Sequence, residues 1–217
     1  MNLERARFNM VEQQIRTWEV LDQSILDCLY VVRREEFVPE AHRALAFSDL
    51  EIPIGAGQTM MQPKMEARIL QEVAAKSTDR VLEIGTGSGY MTALLASRAR
   101  QVVSIEIDPG LKDFGEANLK RAGIENVIVE AGDAALGWSA RGPYEVIVVT
   151  GSMPILPQSM LESLSAGGRL FAVIGDPPIM SARLVTCITS GSYSAIDLFE
   201  TSLTPLKNAL QPKRFEF

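Results

Sequence analysis

Three glycines and three carboxylates carry the clearest chemistry in this sequence. Gly85, Gly87 and Gly89 lie in the run VLEIGTGSGY (81–90), where an apolar stretch gives way to a helical pattern. Glycine has no Cβ, so such a loop turns tightly and lets a ligand approach the main chain. The spacing argues against two phosphate-binding loops. A dinucleotide fingerprint places its third glycine where this chain has Tyr90. A GxxxxGK[ST] loop needs a lysine, and none is present here. Glu83, just before the first glycine, would repel a pyrophosphate and attract the ammonium of an amino-acid ligand. Glu106 ends the next apolar run, where a carboxylate can accept from both hydroxyls of a ribose. Gly132-Asp133-Ala134 follows the third run, and Asp133 suits an adenine amino group. Each acid alone reads as a solvated loop residue. In this order, each at the end of an apolar run, they describe one binding edge.

That edge requires a sheet. Strand-like runs occur at RVLEI (80–84), QVVSIEI (101–107), NVIVE (126–130), YEVIVV (144–149) and GRLFAVI (168–174). Helical patterns fall between them at 88–98, 109–122 and 157–164. Short continuous apolar strands alternating with helices predict a doubly wound α/β fold, its mostly parallel sheet covered on both faces. Ligands of such sheets bind beyond the carboxyl ends of the strands. Two last runs, ARLVTCI and YSAIDLFE, are separated only by Thr189-Ser190-Gly191-Ser192 and predict an antiparallel strand pair added to one sheet edge. Upstream, apolar residues at helical spacing over 3–32 predict two helices, the second capped by Asp22 and ended before Pro39. A short helix is expected through Ala41–Phe47, then a loop over Ile52–Gln58, then a helix opening at Pro63. The expected organisation is one domain, with 1–62 as helical cap and substrate loop and 63–217 as ligand-binding core.

Composition narrows the function classes. At 217 residues and 47% hydrophobic, the chain can bury one substantial core with a modest extension. The net charge of −6 offers no general surface for phosphate backbones, so no nucleic-acid partner is expected. Cys28 and Cys187 stand far apart in apolar surroundings and read as buried small hydrophobes, with no metal site. The single histidine, His42, falls in the cap without a nucleophile or ligand pattern around it. The opening segment is charged, and no apolar run approaches the ~20 residues of a membrane span. No membrane partner and a cytoplasmic location are the expectation.

The pattern [DE]xGxGxG resembles that of class I S-adenosylmethionine methyltransferases. The flanking runs MVEQQIR (10–16), RREEFVPE (33–40), FSDLEIPIGAGQT (47–59), GDA and VIVVT further resemble the protein-L-isoaspartate O-methyltransferases. The likeness covers nearly the whole chain, and IPIGAGQT is its most specific part, because it lies outside the shared cofactor fold. The resemblance implies a Rossmann-like fold, S-adenosyl-L-methionine as cofactor, S-adenosyl-L-homocysteine as product and isoaspartyl peptides or proteins as partners. Such enzymes methylate the free α-carboxyl of isoaspartyl residues, and the ester collapses to a succinimide on the way to repair. It also implies cofactor contacts at Gln58, Thr59, Glu83, Gly85, Thr86, Gly87, Ser88, Gly89, Glu106, Ile107, Gly132, Asp133 and Ala134. Acceptor contacts are implied at Ile54, Gly55, Gly151 and Ser152, and catalysis at Thr59 and position 61.

A carboxylate, with a pKa of about 4, is already nucleophilic at neutral pH and needs no general base. Catalysis then consists of alignment and partial desolvation. One departure stands out: the family's active-site serine maps to Met61. A thioether cannot donate to a carboxylate. Three readings follow: an isoaspartyl methyltransferase with an altered acceptor site, a methyltransferase of this lineage with another acceptor, or a cofactor-binding protein without transfer activity.

Overall fold

The computed structural model describes residues 2–212. The apolar runs become strands β3 (Arg80–Ile84), β4 (Gln101–Glu106), β5 (Val127–Ala131), β6 (Tyr144–Met153) and β7 (Leu164–Asp176), preceded by a small pair, β1 (Ile52–Gly55) and β2 (Gln58–Met60). With β8 (Ile179–Thr189) and β9 (Ser192–Thr201) they form a seven-stranded sheet in the order β5-β4-β3-β6-β7-β8-β9. Strands β5 to β7 are parallel, as predicted, while β8 and β9 run antiparallel to their neighbours. The C-terminal pair is therefore present, and β7 joins it to make a three-stranded meander. The strand order reverses between β3 and β6, which opens a crevice at their carboxyl ends.

Strand alternation sends successive side chains to opposite faces. Val81, Val102, Val146 and Val148 join one core, shared with the N-terminal segments. Leu82, Val103, Ile147 and Val149 join the other. The helices are α1 (Leu3–Asn9), α2 (Gln23–Val31), α3 (Pro63–Val73), α4 (Tyr90–Ala96), α5 (Pro109–Arg121) and α6 (Gln158–Glu162). Asp22 caps α2 through the Ser24 amide, as its residue type suggests, and Pro63 takes the first turn of α3.

Several boundaries differ from expectation. The first helical pattern breaks into α1, a π turn over Met10–Ile15 and a 3-10 turn over Arg16–Trp18, ending where Glu19 is left-handed at φ 60. The helix expected at 41–47 is a 3-10 turn over Glu40–Leu45. The expected loop at 52–58 is the β1–β2 hairpin, with Ile52 opposite Met60. Its turn takes positive φ at Gly55, Ala56 and Gly57, and the two glycines make that turn cheap. Helix 157–164 shrinks to α6, because β7 starts early and pairs Leu164 with Tyr144.

Candidate active site

The glycine loop is built around the two residues that face it. Gly85 has φ +98, and a Cβ there would stand 2.3 Å from Thr150 Oγ1, so no other residue fits without displacement. Thr150 Oγ1 lies 2.9 Å from the Ile84 carbonyl and 2.8 Å from that of Gly85, donating between them and tying β6 to the loop. The pairing of β6 with β7 slips between Val148 and Ser152, and this irregularity brings Thr150 and Gly151 to the cleft wall. Glu106 Oε2 accepts from the Gly87 amide at 2.9 Å, and its Oε1 accepts from the Asp108 amide at 3.0 Å. A carboxylate has about four acceptor positions, so both oxygens keep capacity for ligand hydroxyls.

The cleft encloses about 710 Å³ including its mouth, within the usual range for small-molecule sites. Ile84, Gly85, Gly87, Glu106, Ile107, Gly132, Asp133 and Ala134 line one part, with Leu111 and Ala135. Ile54, Gln58 and Thr59 from the β1–β2 hairpin and Met61 just after it line another part, together with Thr150 and Gly151. The topology thus brings residues of the expected cofactor and acceptor sets into one cavity.

Residues 203–209 form a strap that sequence reasoning missed. Leu203, Thr204, Leu206 and Lys207 line the cleft. Ser152, expected among the acceptor contacts, is buried and serves the strap instead. Its hydroxyl donates to the Leu203 carbonyl at 2.9 Å, its amide to the Thr204 carbonyl at 3.0 Å, and its carbonyl accepts from the Leu206 amide at 2.8 Å. Asn208 donates to Asp133 Oδ2 at 2.8 Å, while the Ala135 amide holds Oδ1 at 3.0 Å. Asp133 is thereby oriented before any ligand arrives. The strap carries no helical or strand periodicity, so no sequence signal marked it.

Glu83 requires a correction. It was expected to meet a ligand ammonium, yet strand alternation turns it away from the cleft that its neighbour Ile84 lines. Its carboxylate is fully buried between α4 and β4, accepting from the hydroxyls of Thr92 and Ser104. Burial raises its pKa to about 8, against the lowering effect of those two hydroxyls. Ser104 also pairs with Thr86 at 2.6 Å, so Glu83 supports the glycine loop from behind. Thr86 and Ser88 are buried and border a smaller recess beside Met61 rather than the main cleft. Gly89 opens α4 at φ +82, and a Cβ there would meet the Gly115 carbonyl at 2.9 Å. Gly55 lies in the exposed hairpin turn, outside the cleft lining. Gly115, which sequence reasoning passed over, lets α5 pack against the loop: a Cβ there would meet Thr86 Cγ2 at 2.8 Å and the Gly87 carbonyl at 2.9 Å.

Met61 borders the cleft and is only 6% exposed, packed into the core beside Met60. Its carbonyl accepts from Arg34 Nη2 at 2.6 Å. Arg34 is 1% exposed, ion-paired with Glu66, hydrogen-bonded to the Ala46 carbonyl at 2.9 Å, and seated over the Tyr90 ring. Desolvation lowers the Arg34 pKa to about 10, which leaves it charged at neutral pH. One buried cation therefore joins the N-terminal segments, α3 and the hairpin.

The match to known proteins extends over nearly all of this framework. Residues 5–207 match the model of the protein-L-isoaspartate(D-aspartate) O-methyltransferases. The chain belongs to that family. It is 43% identical over 171 residues to a protein-L-isoaspartate O-methyltransferase of Methanoculleus marisnigri, covering 79% of this chain and 78% of the relative. A relative of the same name from Yersinia enterocolitica is 40% identical over 182 residues, covering 84% and 86%. A Plasmodium falciparum protein assigned to the same activity, crystallised with S-adenosyl-L-homocysteine, superimposes with a TM-score of 0.80. At 21% identity, with 92% of this chain and 97% of that one covered, it supports the fold. Among the described residues no helix is long and apolar enough to cross a membrane, and no group of three or more metal-ligating side chains occurs.

Proposed function

We propose that this chain is an S-adenosylmethionine-dependent carboxyl O-methyltransferase that methylates L-isoaspartyl residues of damaged proteins. The observation that carries the reading is one cleft in which Glu106, Asp133 and the glycine loop face the Gln58–Met61 hairpin, in a member of this family. The residues fit the cofactor. Glu106 has free acceptor positions for a ribose diol, and Asp133 is held in place by Asn208 and the Ala135 amide. Ile107, Leu111, Ala134 and Ala135 offer apolar surface for an adenine ring. Gly85 leaves room for Thr150 to bond the loop carbonyls, which fixes the loop against the cleft.

When bound, the cofactor supplies an electrophilic methyl group on a sulfonium. The protein's part is to bind, align and exclude water. The hairpin and strap wall the cleft, so an acceptor carboxylate entering between them loses part of its hydration and is held for in-line attack. A general base is unnecessary, because the acceptor is already ionised near neutral pH. Isoaspartyl-containing peptides and proteins are the partners of this reading, and the cytoplasm is its compartment.

The test is methyl transfer from labelled cofactor to an isoaspartyl peptide and to its aspartyl twin. Labelling of the isoaspartyl peptide alone, with later release of methanol, is the expected result. Cofactor binding without transfer to either would favour another acceptor.

A further inference from the structure

We propose that Thr204, on the C-terminal strap, supplies the side-chain hydroxyl that holds the acceptor carboxylate in this enzyme; the inference rests on the isoaspartyl reading above. Three hydroxyl-bearing side chains line the cleft among the described residues: Thr59, Thr150 and Thr204. Their protons are not equally free. Thr150 donates to the Ile84 and Gly85 carbonyls and holds the glycine loop closed. Thr59 donates to Glu51 Oε2 at 2.9 Å. Thr204 Oγ1 lies 3.2 Å from Thr59 Oγ1, and with the Thr59 proton committed, Thr204 is the donor of that pair. Its acceptor is a neutral hydroxyl at a long distance, which an incoming carboxylate outcompetes, since hydrogen bonds to ionised groups are roughly twice as strong.

The backbone holds this hydroxyl in place. The Thr204 carbonyl accepts from the Ser152 amide, the following Leu206 amide donates to the Ser152 carbonyl, and the Ser152 hydroxyl fixes Leu203. These anchors fix the main chain at Thr204, and its β-branched side chain has few χ1 rotamers, so its hydroxyl is a positioned donor. Glu51 takes part only by holding the Thr59 proton, which leaves Thr204 as the hydroxyl of that pair able to turn to the acceptor. Lys207 also lines the cleft, and its ammonium lies 3.7 Å from Asp108 Oδ2, two residues past Glu106. Met61, facing the same cavity, has no proton to donate.

Thr204→Val keeps the shape and removes the hydroxyl, while Thr204→Ser keeps the hydroxyl. The measurements are kcat and KM on an isoaspartyl peptide, calorimetric affinity for S-adenosyl-L-homocysteine, and melting temperature. The expected result is a fall in kcat/KM of about tenfold or more for Thr204→Val, the worth of one hydrogen bond to a charged group. Affinity for S-adenosyl-L-homocysteine should stay at the wild-type value, and Thr204→Ser should keep most of the activity. If Thr204 were only filling space, Thr204→Ser would be the more damaging change, and that order would overturn the proposal. Equal activity of wild type and Thr204→Val would overturn it while leaving the isoaspartyl reading intact. A wild-type protein that binds the product but methylates no isoaspartyl peptide would overturn both. Should the valine variant fold poorly, Thr204→Ala against Thr204→Ser makes the same comparison.

Discussion

The two halves of the cleft are built in different ways. The half with Glu106 and Asp133 is assembled from residues at the ends of adjacent parallel strands, β3, β4 and β5, each followed by its own turn. Each carboxylate has one hydrogen bond from an amide two residues on, Asp108 for Glu106 and Ala135 for Asp133, and one from farther away, Gly87 and Asn208. The half with Met61 and Thr204 joins segments from opposite ends of the chain, held by Arg34, Ser152 and the Thr59–Thr204 contact. The first half repeats a design that any sheet of this type can carry. The second depends on tertiary contacts throughout, shares only the Asn208–Asp133 bond with the first, and holds Met61, where the resemblance implies a serine.

This contrast can be broken most forcefully at Arg34. Arg34→Met should remove the partner of buried Glu66 and cost about 3–5 kcal/mol, read as a lower denaturation midpoint. The acceptor half should suffer first, since the Met61 carbonyl loses its donor as well. A variant with unchanged stability would show that the N-terminal segments and the hairpin are not coupled through this cation. Next comes Met61→Ser. Met61 is packed in the core, so the substitution should destabilise by about 2–5 kcal/mol, as for other truncations of buried methionine. Turnover on an isoaspartyl peptide should change little, because Thr204 already provides a donor. A large gain in turnover would instead place the missing serine at the centre of the acceptor site.

Glu106→Ala tests the other half. Affinity for S-adenosyl-L-homocysteine should fall by about 1.5–3 kcal/mol, measured by calorimetry. Ligand-free stability should fall too, because the Gly87 and Asp108 amides lose their acceptor. Undiminished affinity would mean that the ligand bypasses this carboxylate. The smallest effect sharpens the comparison through pH. Glu83 has its pKa raised from 4.5 to about 8 by burial, so the folded state holds the proton more tightly than the unfolded chain. Its contribution to stability is full below pH 4.5 and is lost as pH rises through about 8. Melting temperatures of ligand-free protein from pH 5 to 9 should decline less steeply for Glu83→Gln, whose amide oxygen can still accept from Thr92 and Ser104. Parallel slopes would show that Glu83 does not titrate in this window.

What was legible in the sequence follows the range of the forces involved. The strands, the glycine loop, the Asp22 cap and Pro63 are dictated by neighbours within a few residues, through periodicity, capping and backbone freedom. From them came the parallel sheet, the binding edge, and the cleft-lining positions of Glu106 and Asp133. Met61 draws notice in the sequence because the resemblance carried by the residues around it implies a serine there. Tertiary structure alone decided which way Glu83 points, since alternation along β3 sets the face but only α4 and β4 supply the hydroxyls that keep it there. It alone gave Ser152 to the strap, brought Thr204 against Thr59, and placed Gly115 beneath the glycine loop. Contacts between residues so far apart in the chain leave no local spacing in the sequence. Packing at full density then selects which side chain reaches the cleft and which fills the core.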